Sequence, residues 1–203
     1  MNVRVVNNAR SIESTVDKLY TSYLLNKNKI NCPETYIFRG QKAASGFISN
    51  YNFKSKLIYK PLFGSQGDNI RLIERPSDLE KLENQTNIYY FQEYLDNSPN
   101  YDYRVLVINN NDNIKYFYMT RYGETFINNF SKGAKCIKEK LNEDVIELAI
   151  KSSRLLNIDF CGVDIIEYKR QYYVIEVNSI PAWKGLQKVE SANISDYITS
   201  IFA

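Results

Sequence analysis

Three times along this chain a strand pattern doubles back on itself, and that repetition restricts the fold more than any other feature. Residues 57–62 (LIYKPL) and 70–73 (IRLI) flank FGSQGDN, residues 103–108 and 114–121 flank NNND, and residues 162–168 and 172–178 flank Lys169-Arg170-Gln171. Further strands are expected at 35–38 and 88–95. Ile12, Val16, Leu19, Tyr20, Tyr23 and Leu24 recur at helical spacing, with Ser11 as a cap and 28–31 as the end. Val145, Leu148, Ala149, Ser152, Leu155 and Leu156 mark a second amphipathic helix. Shorter helices are expected at 42–50, 76–83 and 194–202. Helices thus fall between hairpins rather than between single strands, which predicts an α+β fold with antiparallel sheets rather than a doubly wound parallel one. A lobe boundary is expected near residue 96.

Composition excludes several classes of chemistry. The 203 residues include no histidine, so Ser-His-Asp and Cys-His nucleophiles and every His-ligated metal site are ruled out. Lys, Arg, carboxylates, amides and backbone must do any chemistry. Cys32, Cys136 and Cys161 are too few and too widely spaced for a disulfide framework or a zinc site, which points to a cytoplasmic chain with reduced thiols. A net charge of +3, with no arginine stripe or nucleic-acid module, argues against nucleic acid as a partner. No apolar run approaches the roughly 20 residues of a membrane span, and the N-terminus lacks a signal-peptide stretch. No membrane partner is expected.

The closing hairpin, GVDIIEYKRQYYVIEVN, carries three oxygen-bearing side chains amid apolar ones. With a three-residue loop, Tyr168 faces Tyr172, Ile166 faces Val174 and Asp164 faces Glu176, and Asn178 shares their face. Directly opposed Cβ atoms lie roughly 5 Å apart, so the two carboxylates repel. A divalent cation relieves that repulsion, and Mg²⁺ commonly takes one or two carboxylates together with substrate phosphates. A solvated hairpin face with two unrelated acids is the other reading.

Lys60 sits on a strand ahead of Gly64 and Gly67. Glycines let backbone N–H groups approach phosphate oxygens, and a strand lysine supplies a point charge. The stretch lacks GK[ST] and a following helix, so it is not a Walker A loop. A plain hairpin turn fits the same residues.

Taken in order, these pieces resemble the ATP-grasp superfamily, in its ribosomal-protein-S6 glutamate ligase-like branch. The tail EVNSIPAWKGLQ is most similar to the tetrahydromethanopterin α-L-glutamate ligase group. The motifs are N-x-x-x-x-I-x-x-x-x-DK from Asn7 to Lys18, KPLFGSQG from Lys60, QEYL from Gln92, DYR from Asp102, GVDI from Gly162 and EVN-x-x-P from Glu176. The resemblance implies an ATP-grasp fold, two α+β lobes gripping a nucleotide: residues 1–95 with the helix, the glycine-loop hairpin and a hinge strand, and residues 96–203 with the metal-binding hairpin. It implies ATP with Mg²⁺ as cofactors, Mn²⁺ being able to stand in. Lys60 and Lys18 would contact the phosphates, and Gly64, Ser65, Gln66 and Gly67 would close over them. Gln92, Glu93, Tyr94 and Leu95 would line the adenine, and Asp102 would lie near the ribose. Asp164, Glu176 and Asn178 would hold the metal. Arg104, Asn129 and Lys132 would face the transferred phosphate and the substrate.

The implied reaction is ATP-dependent carboxylate–amine ligation through an acyl phosphate, adding an amino acid such as glutamate to a small-molecule or peptide carboxylate. An ATP-grasp phosphotransferase and a non-catalytic nucleotide-binding module are the rivals. Two departures stand out. The family segment Phe-Arg-x-Asn followed by Arg-Gly-Gly is here Phe126-Ile127-Asn128-Asn129 and Lys132-Gly133-Ala134. Ile127 cannot contact a phosphate by charge, and Lys132 lacks the arginine fork. Relatives also carry an α/β domain ahead of the grasp lobes, whereas this chain begins almost at the grasp. The N-terminal pre-grasp domain is therefore expected to be absent, its place taken by a partner protein, a second copy in a homo-oligomer or a smaller pocket, unless the chain is a fragment or a specialised short form.

Overall fold

The computed structural model describes residues 5–64, 67–82, 86–110, 113–124, 128 and 133–202. Among them, two antiparallel sheets carry the architecture. The first contains β1 (Thr35–Arg39), β2 (Leu57–Lys60), β3 (Arg71–Ile73) and β4 (Ile88–Glu93) in the order β1-β4-β2-β3. The second contains β5 (Tyr101–Asn110), β6 (Asn113–Tyr122), β7 (Lys135–Ile137), β8 (Phe160–Tyr168) and β9 (Gln171–Asn178) in the order β7-β6-β5-β8-β9. The fold is the antiparallel α+β arrangement that the hairpin pattern predicts. The three hairpins are β2–β3, β5–β6 and β8–β9.

Alternation along the strands gives each sheet one apolar face. Leu57, Tyr59, Tyr89 and Phe91 pack with Ala44 and Ile48 of α3 (Gln41–Asn50), and Phe47 of that helix stacks on Phe38. In the second sheet Val105, Val107, Cys161, Val163 and Ile165 pack on Val145 and Ala149 of α4 (Glu143–Leu155). Asn142 caps α4, accepting from the Asp144 amide, and Glu143, Asp144 and Arg154 lie at the ends their charges favour. The opposite face of the second sheet changes character along its length. Leu106, Ile108, Phe117 and Met119 are covered by α5 (Lys184–Gln187) and α6 (Ile194–Thr199). Further along the same face come charged groups.

Several details differ from the sequence expectation, among them the cap of the first helix, which is Asn8 rather than Ser11. The first helical stretch is two helices, α1 (Ala9–Val16) and α2 (Lys18–Lys27), because Asp17 is extended at φ −82° and ψ 99°. Its carboxylate accepts from the Leu19 and Tyr20 amides and so starts α2 anew. Strand β7 and helix α5 are too short to show a periodicity. The β8–β9 turn has two residues, not three: Lys169 and Arg170 adopt φ 50° and 62°, and Tyr168 pairs with Gln171. That turn alone would set Asp164 against Ile175. A bulge between Asp164 and Ile165 adds one residue on β9 and restores the pairing of Asp164 with Glu176.

The chain start is tied to the second sheet. Buried Asn7 donates to the carbonyls of Phe160 (2.7 Å) and Ser179 (2.6 Å) and accepts from the Phe160 amide (2.9 Å). Thr15 of α1 donates to the Ser179 hydroxyl at 2.6 Å. These bonds carry Lys18 to the gap between the sheets. Among the described residues no helix is long and apolar enough to cross a membrane.

Candidate functional site

Between the sheets lies a cleft enclosing about 1240 Å³, open to solvent. The first sheet turns Ile58, Lys60, Tyr90 and Gln92 toward it, the residues alternating with its apolar face. Lys60 donates to Gln92 Oε1 at 2.6 Å. Tyr90 shares a hydrogen bond with Ser22 of α2 (2.8 Å). Lys18 donates to the carbonyls of Gly64 (2.9 Å) and Leu62 (3.3 Å), at the base of the glycine loop. Among the described residues neither lysine forms an ion pair with a carboxylate. Burial pushes the Lys60 ammonium down to about 8, against the pull of Glu176. Burial also lowers Lys18, opposed by Glu176 and Asp17. Two half-buried cations thus lie near one carboxylate, which suits a polyanionic ligand.

Gly64 and Gly67 line the cleft, Gly67 at φ 74° where a side chain would be strained. Ser65 and Gln66 lie outside the described residues, as do Asn129 and Lys132. Gln92, Glu93, Tyr94 and Leu95 line the cleft at the crossing from β4 to β5. The amides of Glu93 and Tyr94 are held by the carbonyls of Glu34 (2.8 Å) and Lys56 (2.9 Å).

The second sheet contributes a buried charged cluster from three adjacent strands. Register sets Asp102 opposite Arg121 and Arg104 opposite Asp164. Arg121 grips Asp102 with both arms of its fork, at 2.6 and 2.8 Å. It also reaches Asp164 Oδ1 at 3.0 Å. Arg104 donates to Asp164 Oδ2 at 2.8 Å, and its Nε ion-pairs with Oδ1. All four side chains are buried. Burial pushes the Asp102 carboxyl up to about 6 against the pull of Arg121. Burial opposes the Arg121 charge as well, but Asp102 and Asp164 outweigh it and raise its pKa. At neutral pH the pair is therefore ionised. Gly162 makes room for this arrangement: a Cβ there would lie 2.6 Å from Arg104 Nη1 and 3.1 Å from Pro181.

Asp164 and Glu176 face each other across β8 and β9, and Asn178 sits opposite Gly162 on the same edge. The donors are all oxygens, as a hard divalent cation takes. Asp164 Oδ1 is buried with no donor aligned on it, although two guanidinium groups lie near. Asn178 Oδ1 accepts from the Ile180 amide at 2.9 Å, which fixes its direction and leaves a second lone pair. Among the described residues no group of three or more acidic, Cys or His side chains is placed to hold a metal ion. Two carboxylates and an amide suit Mg²⁺ that takes its remaining ligands from phosphates and water.

The motif pattern does not single out Arg121 or Asn128. The β5–β6 register around NNND carries the signal for Arg121, since it sets that residue opposite Asp102. Asn128 has no such signal. It is buried in the cleft wall, and its Oδ1 has no hydrogen-bond partner among the described residues.

Two antiparallel sheets closing on a cleft with paired lysines, a glycine loop and an acidic edge define a protein of the ATP-grasp class. Residues 15–201 match the family model of the RimK-like ATP-grasp domain, and the chain belongs to that family. It is 29% identical over 203 residues to the tetrahydromethanopterin:alpha-L-glutamate ligase of Methanocaldococcus jannaschii, covering 96% of this chain and 68% of that protein. It is 29% identical to the alpha-aminoadipate–LysW ligase LysX of Saccharolobus solfataricus, covering 96% of this chain and 72% of the relative. In fold it is similar to the ATP-grasp ligase PsnB in complex with a minimal precursor, Mg and ADP. There the TM-score is 0.68 at 18% identity, over 98% of this chain and 63% of that one. The chain thus spans about two thirds of the length of the proteins it matches.

Proposed function

We propose that the chain is an ATP- and Mg²⁺-dependent carboxylate–amine ligase, adding an amino acid such as glutamate to a carboxylate of a small molecule or peptide. The observation that carries this reading is the convergence of Lys18, Lys60, Asp164 and Glu176 on one cleft in a chain whose relatives are ligases. On this reading residues 1–95 and 96–203 are the two lobes. Gln92 to Leu95 line the adenine, and Lys60 and Lys18 contact the phosphates under the 64–67 loop. Asp164, Glu176 and Asn178 hold the metal, which can also be Mn²⁺. The charge of the cation offsets that of the phosphate oxygens.

The acceptor carboxylate attacks the γ-phosphorus, forming an acyl phosphate and releasing ADP. The amine nitrogen then attacks the acyl carbon. Phosphate leaves with the bonding pair, the amine loses a proton, and an amide results. Arg104 steadies the acceptor carboxylate and the developing oxyanion, with Asn129 and Lys132 beside the transferred phosphate. The protein mainly positions and stabilises charge, so a chain without histidine is adequate.

The test is phosphate release from ATP and Mg²⁺ across a panel of carboxylates, with and without glutamate. Release that needs both acceptor and amine is expected. Release that needs only the acceptor would make the chain a phosphotransferase. Nucleotide binding without release under any condition would reduce it to a binding module.

A further inference from the structure

Asp164 has more partners than a metal ligand can keep. Arg104 and Arg121 both contact it, and Glu176 faces it across the strand. A divalent cation at Asp164 and Glu176 would bring two further positive charges beside two guanidinium groups. The cation and both guanidinium groups then compete for the two oxygens of Asp164, which weakens the contact of the arginine with the fewest other partners.

The two arginines are not held alike. Arg121 makes two charge-assisted bonds to Asp102, at 2.6 and 2.8 Å, and its single contact with Asp164 is longer, at 3.0 Å. Asp102 cancels its charge locally, so a cation repels the pair weakly. Among the described residues Arg104 ion-pairs with Asp164 alone. Its guanidinium occupies the space that a side chain at residue 162 would fill. Of the two, Arg104 is the one held by fewer acidic partners.

We propose that Arg121, anchored on Asp102, is the positioning residue that keeps Asp164 aimed at the cation when Arg104 lets go. Arg104 acts as a stand-in cation in the ligand-free cleft, and metal loading hands it over to the reacting groups. This inference rests on the reading of the cleft as a Mg²⁺–nucleotide site and assigns the two arginines opposite effects on it.

The experiment is calorimetric titration of ADP into the full chain, with Mg²⁺ and with EDTA. Its readout is the ratio of the two affinities, the Mg²⁺ stimulation. In Asp102→Asn the anchor charge is gone, and the stimulation is expected to fall about 10- to 100-fold, the usual cost of losing support behind a metal ligand. Arg121→Lys keeps the charge but not the fork, and a smaller loss in the same direction is expected. Arg104→Gln removes the competitor for Asp164 and should raise the stimulation above wild type.

A thermal melt confirms that each variant is folded. If Asp102→Asn does not fold, Arg121→Lys and Arg104→Gln still decide the matter by their opposite directions. Unchanged stimulation in Arg121→Lys, or an equal loss in Arg104→Gln, would overturn the proposal while leaving the ligase reading intact. Absence of Mg²⁺-dependent ADP binding in the wild-type chain would remove the ground for both.

Discussion

The two faces of the five-stranded sheet are built from alternate residues of the same strands, yet they obey different rules. On the α4 face Val105, Val107, Cys161, Val163 and Ile165 need only be apolar and of suitable size. On the cleft face Asp102, Arg104, Arg121 and Asp164 are as buried, and each depends on a particular partner on the next strand. Loss of one apolar side chain leaves a cavity. Loss of one charge leaves its partner unpaired in a low-dielectric site. The first face therefore stores stability and the second stores geometry, and variants should separate the two.

The largest effect on stability is expected from Ile165→Ala, where the fully buried side chain packs toward α4. Denaturant unfolding should show a loss of about 2–5 kcal/mol, with the Mg²⁺ stimulation of ADP binding unchanged in the folded fraction. A changed stimulation would mean that the faces are not independent. One strand over and on the other face, Glu176→Gln should do the reverse. Turnover is expected to fall by at least about 100-fold through loss of a metal ligand, with an unfolding midpoint near that of wild type. Wild-type turnover in this variant would remove Glu176 from the metal site.

Gly162→Ala tests the boundary between the two behaviours. Its Cβ would lie 2.6 Å from Arg104 Nη1 and 3.1 Å from the Pro181 ring, so the Arg104 side chain must shift. A roughly 10-fold drop in kcat, with little change in ADP affinity, is expected from misplacing Arg104 by a fraction of an ångström. A stability loss without a kcat change would show that Arg104 does not depend on that space.

The smallest effect concerns Lys60. Its folded pKa, near 8, lies below the ordinary lysine value of 10.5. The unfolded chain then binds more protons between those values, so this group's contribution to stability rises with pH from about 8 to about 10.5. Phosphates in the cleft should return the proton, so ADP binding above pH 8 is expected to take up part of a proton. Titration in buffers of differing ionisation enthalpy measures it. Lys60→Ala should abolish the uptake, and persistence would place the titrating group elsewhere.

Much of the fold was legible because hairpin pairing and helical spacing are local. The strands around NNND, the α4 stripe and the closing hairpin all lie where the pattern puts them. The break at Asp17 was less legible, since the apolar spacing runs through it and only the capping bonds reveal it. Motif order carried the family, confirmed over residues 15–201. The candidate site was legible as a set of residue types. Its wiring was not, because Asp102, Arg104, Arg121 and Asp164 meet through register between strands up to 60 residues apart in the chain.

By itself the sequence determined the antiparallel α+β class, the exclusion of histidine chemistry and the family, all properties of local pattern and composition. The tertiary structure alone decided that a two-residue turn and a bulge together set Asp164 against Glu176. It also decided that Arg121 stands behind Asp164, and that Gly162 is a glycine because a guanidinium lies over it. The physical reason is common to these. Register shifts and cross-strand contacts are fixed by the summed packing of whole sheets, and no stretch of neighbouring residues contains that sum.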